Sequence, residues 1–144
     1  MSEPEGIEGL RVSAAPPQVV RRFDPSPRHV REARELVVRL MTEHHWPAES
    51  IERAKTVVSE LASNAVLHAR TPFQVRCWIE GDAVIEVTDW QPDSVPLVAD
   101  PDQREHGGRG LRLVSAYVSE WGIETANEFK VVWCRIPRID AETP

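Results

Sequence analysis

The chain has 144 residues, which predicts one domain that is large enough for a single two-layer core. Its formal net charge is −6, and this acidic balance argues against non-specific binding of nucleic acid. No apolar run approaches the ~20 residues that cross a membrane, and the N-terminus lacks the apolar region of a signal peptide. We therefore expect a small cytoplasmic protein with neither a membrane nor a nucleic acid as a direct partner.

The composition changes at both ends of the chain. Residues 1–18 are polar and contain Pro4, Pro16 and Pro17, so we expect a disordered N-terminal arm there. Residues 19–137 contain all the predicted helices and strands and form the domain, and residues 138–144 form a C-terminal tail.

The first half of the domain predicts an edge strand and two helices. Residues 19–23 form the strand, and Ser26 followed by Pro27 marks the start of a helix that runs to about His44. A second helix spans Ile51 to Ala69, because its apolar residues recur at steps of three and four.

The second half predicts two β-hairpins. Phe73–Glu80 and Ala83–Thr88 form the first hairpin, and residues 120–124 and 130–136 form the second. Between them, residues 91–106 are polar and about the size of a functional lid, and a glycine-led helix follows. Helices that cover one face of a mainly antiparallel sheet give an α+β two-layer sandwich.

Two cysteines, Cys77 and Cys134, each lie in a run of residues typical of a β-strand. Their spacing is not that of metal ligands, so we expect two buried thiols rather than a disulfide or a metal site. This also favours the cytosol.

Three polar residues form a row along the second helix. Glu60, Asn64 and His68 are spaced by four residues, so they lie along one edge of the buried stripe. Their side chains can either reach a cleft beside the helix or form its solvated flank, and the helix alone does not decide between the two. His68 is better explained as a helix-end residue than as a ligand.

A glycine-rich segment precedes the later helix. Gly107, Gly108 and Gly110 permit a close approach of the backbone, and the N-terminus of a helix presents free N–H groups to a phosphate. Arg109 would add a charged fork for phosphate oxygens. The alternative is a flexible turn before a helix, because the segment is neither a P-loop nor a dinucleotide fingerprint.

The strand of the first hairpin ends in Asp89. A carboxylate at the end of a strand can accept a hydrogen bond from an exocyclic amine such as that of adenine. The alternative is an aspartate that forms a turn.

The order of these motifs resembles the histidine-kinase-like ATPase superfamily with the Bergerat fold. The nearest pattern is its small stand-alone branch of anti-sigma-factor serine/threonine kinases of actinobacterial type, and the resemblance covers about residues 23–137. Residues 58–69 resemble the N box, and Ile85–Asp89 resembles the strand that leads into the G1 box. Gly108–Val114 resembles the G2 box and Lys130–Trp133 the closing strand.

This resemblance implies a site for ATP and Mg²⁺. Asn64 would hold the Mg²⁺ that bridges the phosphates, Glu60 would be the general base, and Asp89 would bind the adenine amine. The residues of the G2 box would line the triphosphate: Gly108, Arg109, Gly110 and Leu111.

The resemblance also implies partners, namely a sigma factor that the protein binds and an antagonist protein that it phosphorylates. The branch often forms dimers, which makes a homodimer one candidate assembly. The chain departs from the family where Asp89 is followed by Trp90-Gln91-Pro92-Asp93, without the two glycines of the G1 box. Two functions therefore stay open, an ATP-dependent protein kinase and a catalytically weak or silent protein-binding module of the same fold.

Overall fold

Two amphipathic helices lie on one face of an antiparallel sheet in the computed structural model, which describes residues 16–93 and 114–140. The α+β two-layer architecture predicted from the sequence is thereby confirmed. A π-helical turn, Ala65–Ala69, follows the second helix directly. The helices and strands are α1 Pro27–Glu43, α2 Ala48–Asn64, β1 Gln18–Phe23, β2 Phe73–Glu80, β3 Asp82–Asp89, β4 Glu120–Thr125 and β5 Lys130–Ile136.

Within the described residues the sheet has five strands in the order β1-β2-β3-β5-β4, and every neighbouring pair is antiparallel. Gly81 closes the β2–β3 hairpin with a φ of +78°, a conformation that glycine adopts without a steric penalty. Strand β3 is central, so its last residue, Asp89, pairs with Phe73 of β2 on one side and with Lys130 of β5 on the other.

The core lies between the helices and one face of the sheet, which we call the helix-covered face. Alternation along the strands directs Phe73, Val75, Ile85 and Val87 to this face, and all four side chains are buried. The helices contribute the matching apolar stripe, whose buried members are Ala33, Val37, Leu40 and Met41 of α1 and Ala54, Val57, Val58, Leu61 and Ala62 of α2. The opposite side, the open face, carries Trp78, Glu86 and Trp133.

The strand and helix boundaries differ from the predictions by a few residues. Strand β1 begins at Gln18, one residue inside the segment predicted as an arm. Residues 1–15 and 141–144 lie outside the described residues, so the disordered arm stays a prediction. None of the helices in residues 16–93 and 114–140 has the length and apolar character needed to span a membrane.

The two cysteines are free and buried, as predicted. Cys77 and Cys134 both pair with Ile85, from opposite sides of β3. Burial raises the pKa of the Cys77 thiol to about 12. Burial also raises the pKa of the Cys134 thiol, with a smaller contribution from the charge of Cys77. Both thiols therefore stay protonated in the folded protein at pH values where exposed thiols ionise.

We expect these thiols to destabilise the fold in alkaline solution. In the unfolded chain a thiol ionises near pH 8.5, at about its ordinary pKa. Above that pH the unfolded state binds fewer protons than the folded state, so the free energy of unfolding falls as pH rises. Each thiol contributes a loss of about 1.4 kcal/mol per pH unit until its folded-state pKa is reached. Urea titrations at pH 8, 9 and 10 measure this slope, and the Cys77→Ala/Cys134→Ala variant is the control. If the free energy of unfolding falls as steeply with pH in the control, the two thiols are not the cause of the alkaline destabilisation.

Candidate functional site

The polar row of the second helix lies at the C-terminal end of α2. Glu60 and Asn64 are both half-buried, whereas His68 is exposed. The side-chain Nδ2 atom of Asn64 is buried and has no hydrogen-bond partner among the described residues. Most buried polar atoms are paired, so an orphaned one points to a missing partner such as a ligand. The two ends of a carboxamide exchange by a simple flip, which lets either its oxygen or its nitrogen take that position.

A π-helical turn shapes this end of the helix. The N–H of Arg70 donates to the carbonyl oxygen of Ala65, five residues back, at 2.8 Å. Arg70 then ends the turn in the left-handed conformation, with a φ of 60°. Single π turns within helices occur frequently at functional sites, and this one begins directly after Asn64.

The loop after the π turn connects α2 to the end of β3. The backbone N–H of Trp90 donates to the hydroxyl of Thr71 at 3.0 Å. Phe73, two residues further on, pairs with Asp89 across the β2–β3 ladder. These contacts place the C-terminal end of α2 and the C-terminal end of β3 at the same end of the molecule, as a shared site requires.

Asp89 lies on the helix-covered face and is only 4% exposed. The ammonium of Lys130 donates to both carboxylate oxygens, at 2.9 Å to Oδ1 and 2.8 Å to Oδ2. The backbone N–H of Gln91 also donates to Oδ1, at 3.0 Å. The aspartate thus forms a local turn and a buried ion pair at once. The turn was one of the two alternatives from the sequence, while the contact with adenine stays a prediction.

Trp90 is the first residue of the segment that departs from the G1 box. Its ring packs beneath the guanidinium of Arg22, which lies 4.3 Å from the ring centroid. Arg22 belongs to the open face, since the next residue, Phe23, is buried against Phe73 on the helix-covered face. The indole is therefore held on the side of the sheet opposite the Asp89 carboxylate.

A groove of about 380 Å³ runs beside Glu60 between α1 and α2. Arg34 of α1 spans it and donates to the hydroxyl of Ser59 at 3.0 Å. The sequence motifs did not identify Arg34, because it comes from another helix. The lining residues are Arg34, Glu52, Lys55, Thr56, Ser59 and Glu60.

The predicted G2-box residues Gly108, Arg109, Gly110 and Leu111 lie outside the described residues. The chain is helical again at residues 114–117. There the ring of Tyr117 lies 5.6 Å from the guanidinium of Arg53, which places this helical segment beside α2. The role of the four G2-box residues in phosphate binding stays a prediction.

The described residues could hold a magnesium ion only together with a bound nucleotide, whose phosphates would supply most of the ligands. Within residues 16–93 and 114–140, no group of three or more histidine, cysteine or acidic side chains could hold a metal ion. Mg²⁺ in nucleotide sites takes most of its ligands from phosphate and water, with one or two from the protein. The carboxamide of Asn64 can supply one such oxygen.

Comparisons with known proteins agree with the fold. The family model for histidine kinase-like ATPase domains matches residues 23–136. The crystal structure of the RsbU and RsbW domains of Rv1364c from Mycobacterium tuberculosis has a similar fold, with a TM-score of 0.66 and 19% sequence identity. The match covers 86% of this chain and 33% of that one, so this chain spans about a third of the longer protein. No curated protein matches the sequence significantly.

Proposed function

Because the chain belongs to the histidine kinase-like ATPase domain family, we propose that it binds ATP with Mg²⁺ and is a cytoplasmic serine/threonine protein kinase. Its regulatory role would be that of an anti-sigma factor, which binds a sigma factor and phosphorylates an antagonist protein. The motifs that resemble the anti-sigma kinase branch support this assignment, as does a fold shared with a structure that contains an RsbW domain.

One observation carries the proposal, the orphaned carboxamide of Asn64 one helical turn from Glu60. A solvated helix flank, the alternative left open by the sequence, would leave this group in water. The buried Nδ2 atom instead requires a partner that the described residues do not supply. A phosphate oxygen or a phosphate-bound Mg²⁺, with the carboxamide in the appropriate orientation, provides one.

Glu60 is suited to the role of general base. Its carboxylate is half-buried and lines the groove between α1 and α2, so the hydroxyl of a partner serine or threonine can approach it there. It would accept the hydroxyl proton while the oxygen attacks the γ-phosphorus in line with the leaving group. Arg34, across the groove, would hold the partner segment by its charge. Bound Mg²⁺ would neutralise charge on the phosphate oxygens.

A second function, a partner-binding module without catalysis, is favoured by the ion pair of Asp89 with Lys130. The pair occupies the carboxylate that would bind adenine. The two glycines of the G1 box are also absent, since Gln91 and Asp93 occupy their positions after Asp89.

Thermal denaturation with ATP distinguishes the two functions. A ligand at about 100 times its dissociation constant stabilises the folded state by about 2.7 kcal/mol. We expect the melting temperature to rise with ATP and Mg²⁺ together, and to rise less with ATP and excess chelator. An unchanged melting temperature at millimolar ATP and Mg²⁺ would contradict the kinase function and favour the partner-binding module.

A further inference from the structure

Lys130 is the most deeply buried cation near the candidate site among the described residues. Its side chain is 2% exposed, and that of its partner Asp89 is 6% exposed. The two residues are direct partners in the ladder between β3 and β5, so the sheet itself fixes their distance. Lysine is almost never buried unless it is paired. This pair is therefore built into the fold and does not depend on a flexible surface contact.

The hydrogen-bonding capacity of the Lys130 ammonium and the Asp89 carboxylate is almost fully occupied. The ammonium has three donors, and it contacts Oδ1 and Oδ2 of Asp89 and the carbonyl oxygen of Gln91, the last at 3.0 Å. Oδ1 accepts a second bond from the Gln91 N–H. Among the described residues, only Oδ2 retains capacity for a further donor.

An adenine amine would have to compete for this carboxylate. Hydrogen bonds between two ions are about twice as strong as those between neutral groups, so a neutral amine does not displace the ammonium. The amine could add only a single bond to Oδ2, whose charge Lys130 already neutralises. Such a bond discriminates weakly between adenine, which offers an amine there, and guanine, which offers a carbonyl oxygen.

We propose that Lys130 is a specificity-determining residue of the nucleotide site, and that it lowers the selectivity for adenine by holding Asp89 in a closed ion pair. This inference rests on the proposed ATP site and adds a statement about its base specificity. It predicts that the nucleotide site binds both ATP and GTP. It also predicts that adenine selectivity returns when the ammonium is removed.

The test is a titration of ATP and of GTP, each with Mg²⁺, on four proteins. These are the parent, Lys130→Thr, Lys130→Gln and Asp89→Asn, each with its fold checked by circular dichroism. Threonine removes the ammonium and leaves only a neutral hydroxyl beside the carboxylate. Glutamine keeps one neutral donor beside it, so that a folded variant without the ammonium is available if threonine destabilises the domain too far.

We expect the parent to bind the two nucleotides within about threefold of each other. In the Lys130 variants the ratio should shift toward ATP by about tenfold or more, which corresponds to about 1.4 kcal/mol. An unchanged ratio in the folded Lys130 variants would overturn the inference. So would a tenfold preference for ATP in the parent that Asp89→Asn abolishes.

Failure of the proposed function gives a different result. If the parent binds neither nucleotide, the proposed ATP site of the natural protein is wrong. A gain of ATP binding in Lys130→Gln would then still support the role of Lys130, and its absence would overturn that role as well.

Discussion

Replacing Glu60 by glutamine is expected to lower the turnover of ATP by about 10²–10⁴-fold while nucleotide affinity changes little. Glutamine keeps the shape and hydrogen-bonding capacity of the side chain and removes only its ability to accept a proton. Glu60 is half-buried beside the groove and lies one turn before Asn64, so the substitution leaves the buried stripe of α2 intact. The measurement is single-turnover transfer of labelled γ-phosphate, together with a binding titration of ATP.

Glu49→Gln is the matched control for this experiment. Glu49 is an exposed carboxylate in the first turn of the same helix, paired with Arg53 at 3.1 Å. Its loss should leave turnover unchanged. If Glu60→Gln weakens ATP binding as much as it slows turnover, Glu60 is a structural residue of the site and not its base.

The second large effect concerns stability. Lys130→Met should lower the free energy of unfolding by about 3–5 kcal/mol, because it leaves the carboxylate of Asp89 buried without a counter-charge. The double variant Asp89→Asn/Lys130→Met should recover most of that loss. The neutral amide of the asparagine can still accept a hydrogen bond from the Gln91 N–H. In the natural protein this N–H donates to Oδ1 of Asp89 at 3.0 Å. Urea titrations of the parent, the single variant and the double variant measure the loss of stability and its recovery.

A surface ion pair provides the comparison. Arg31 and Glu35 of α1 lie 3.3 Å apart with side chains that are 76% and 56% exposed. Arg31→Met should change the free energy of unfolding by less than about 0.5 kcal/mol, since water already solvates both charges. An equally small loss for Lys130→Met would show that the Asp89 carboxylate finds another partner or water, and the closed ion pair would be wrong.

Local sequence patterns were sufficient to predict most of the fold. The three- and four-residue spacing of apolar residues predicted α2, because a helix needs one continuous apolar stripe to cover a sheet. Ser26 followed by Pro27 predicted the start of α1. Alternation and turn residues predicted both hairpins, with β2 as Phe73–Glu80 and β5 as Lys130–Ile136 in the structure, as in the sequence. The π turn after Asn64 was missed, since its residues continue the helical pattern without a break.

The contacts of the candidate site depend on pairings that no local pattern reveals. Lys130 comes 41 residues after Asp89, and the two meet only because β5 lies beside β3 in the sheet. Arg34 meets Ser59 from 25 residues away, across the interface of the two helices. Arg22 likewise meets the ring of Trp90 from a distant part of the chain, and only the three-dimensional structure shows that it holds this ring on the open face.

The most direct test of the account is a calorimetric titration with ATP, with and without Mg²⁺, on the parent and on Asn64→Ala. We expect the parent to bind ATP more tightly with Mg²⁺. We expect the folded variant to lose this metal-dependent binding, because the orphaned carboxamide is the group assigned to the phosphates and their ion. His68→Ala, on the exposed residue four positions later, should bind as the parent does. Unchanged Mg²⁺-dependent affinity in a folded Asn64→Ala variant would contradict the nucleotide site at the end of α2.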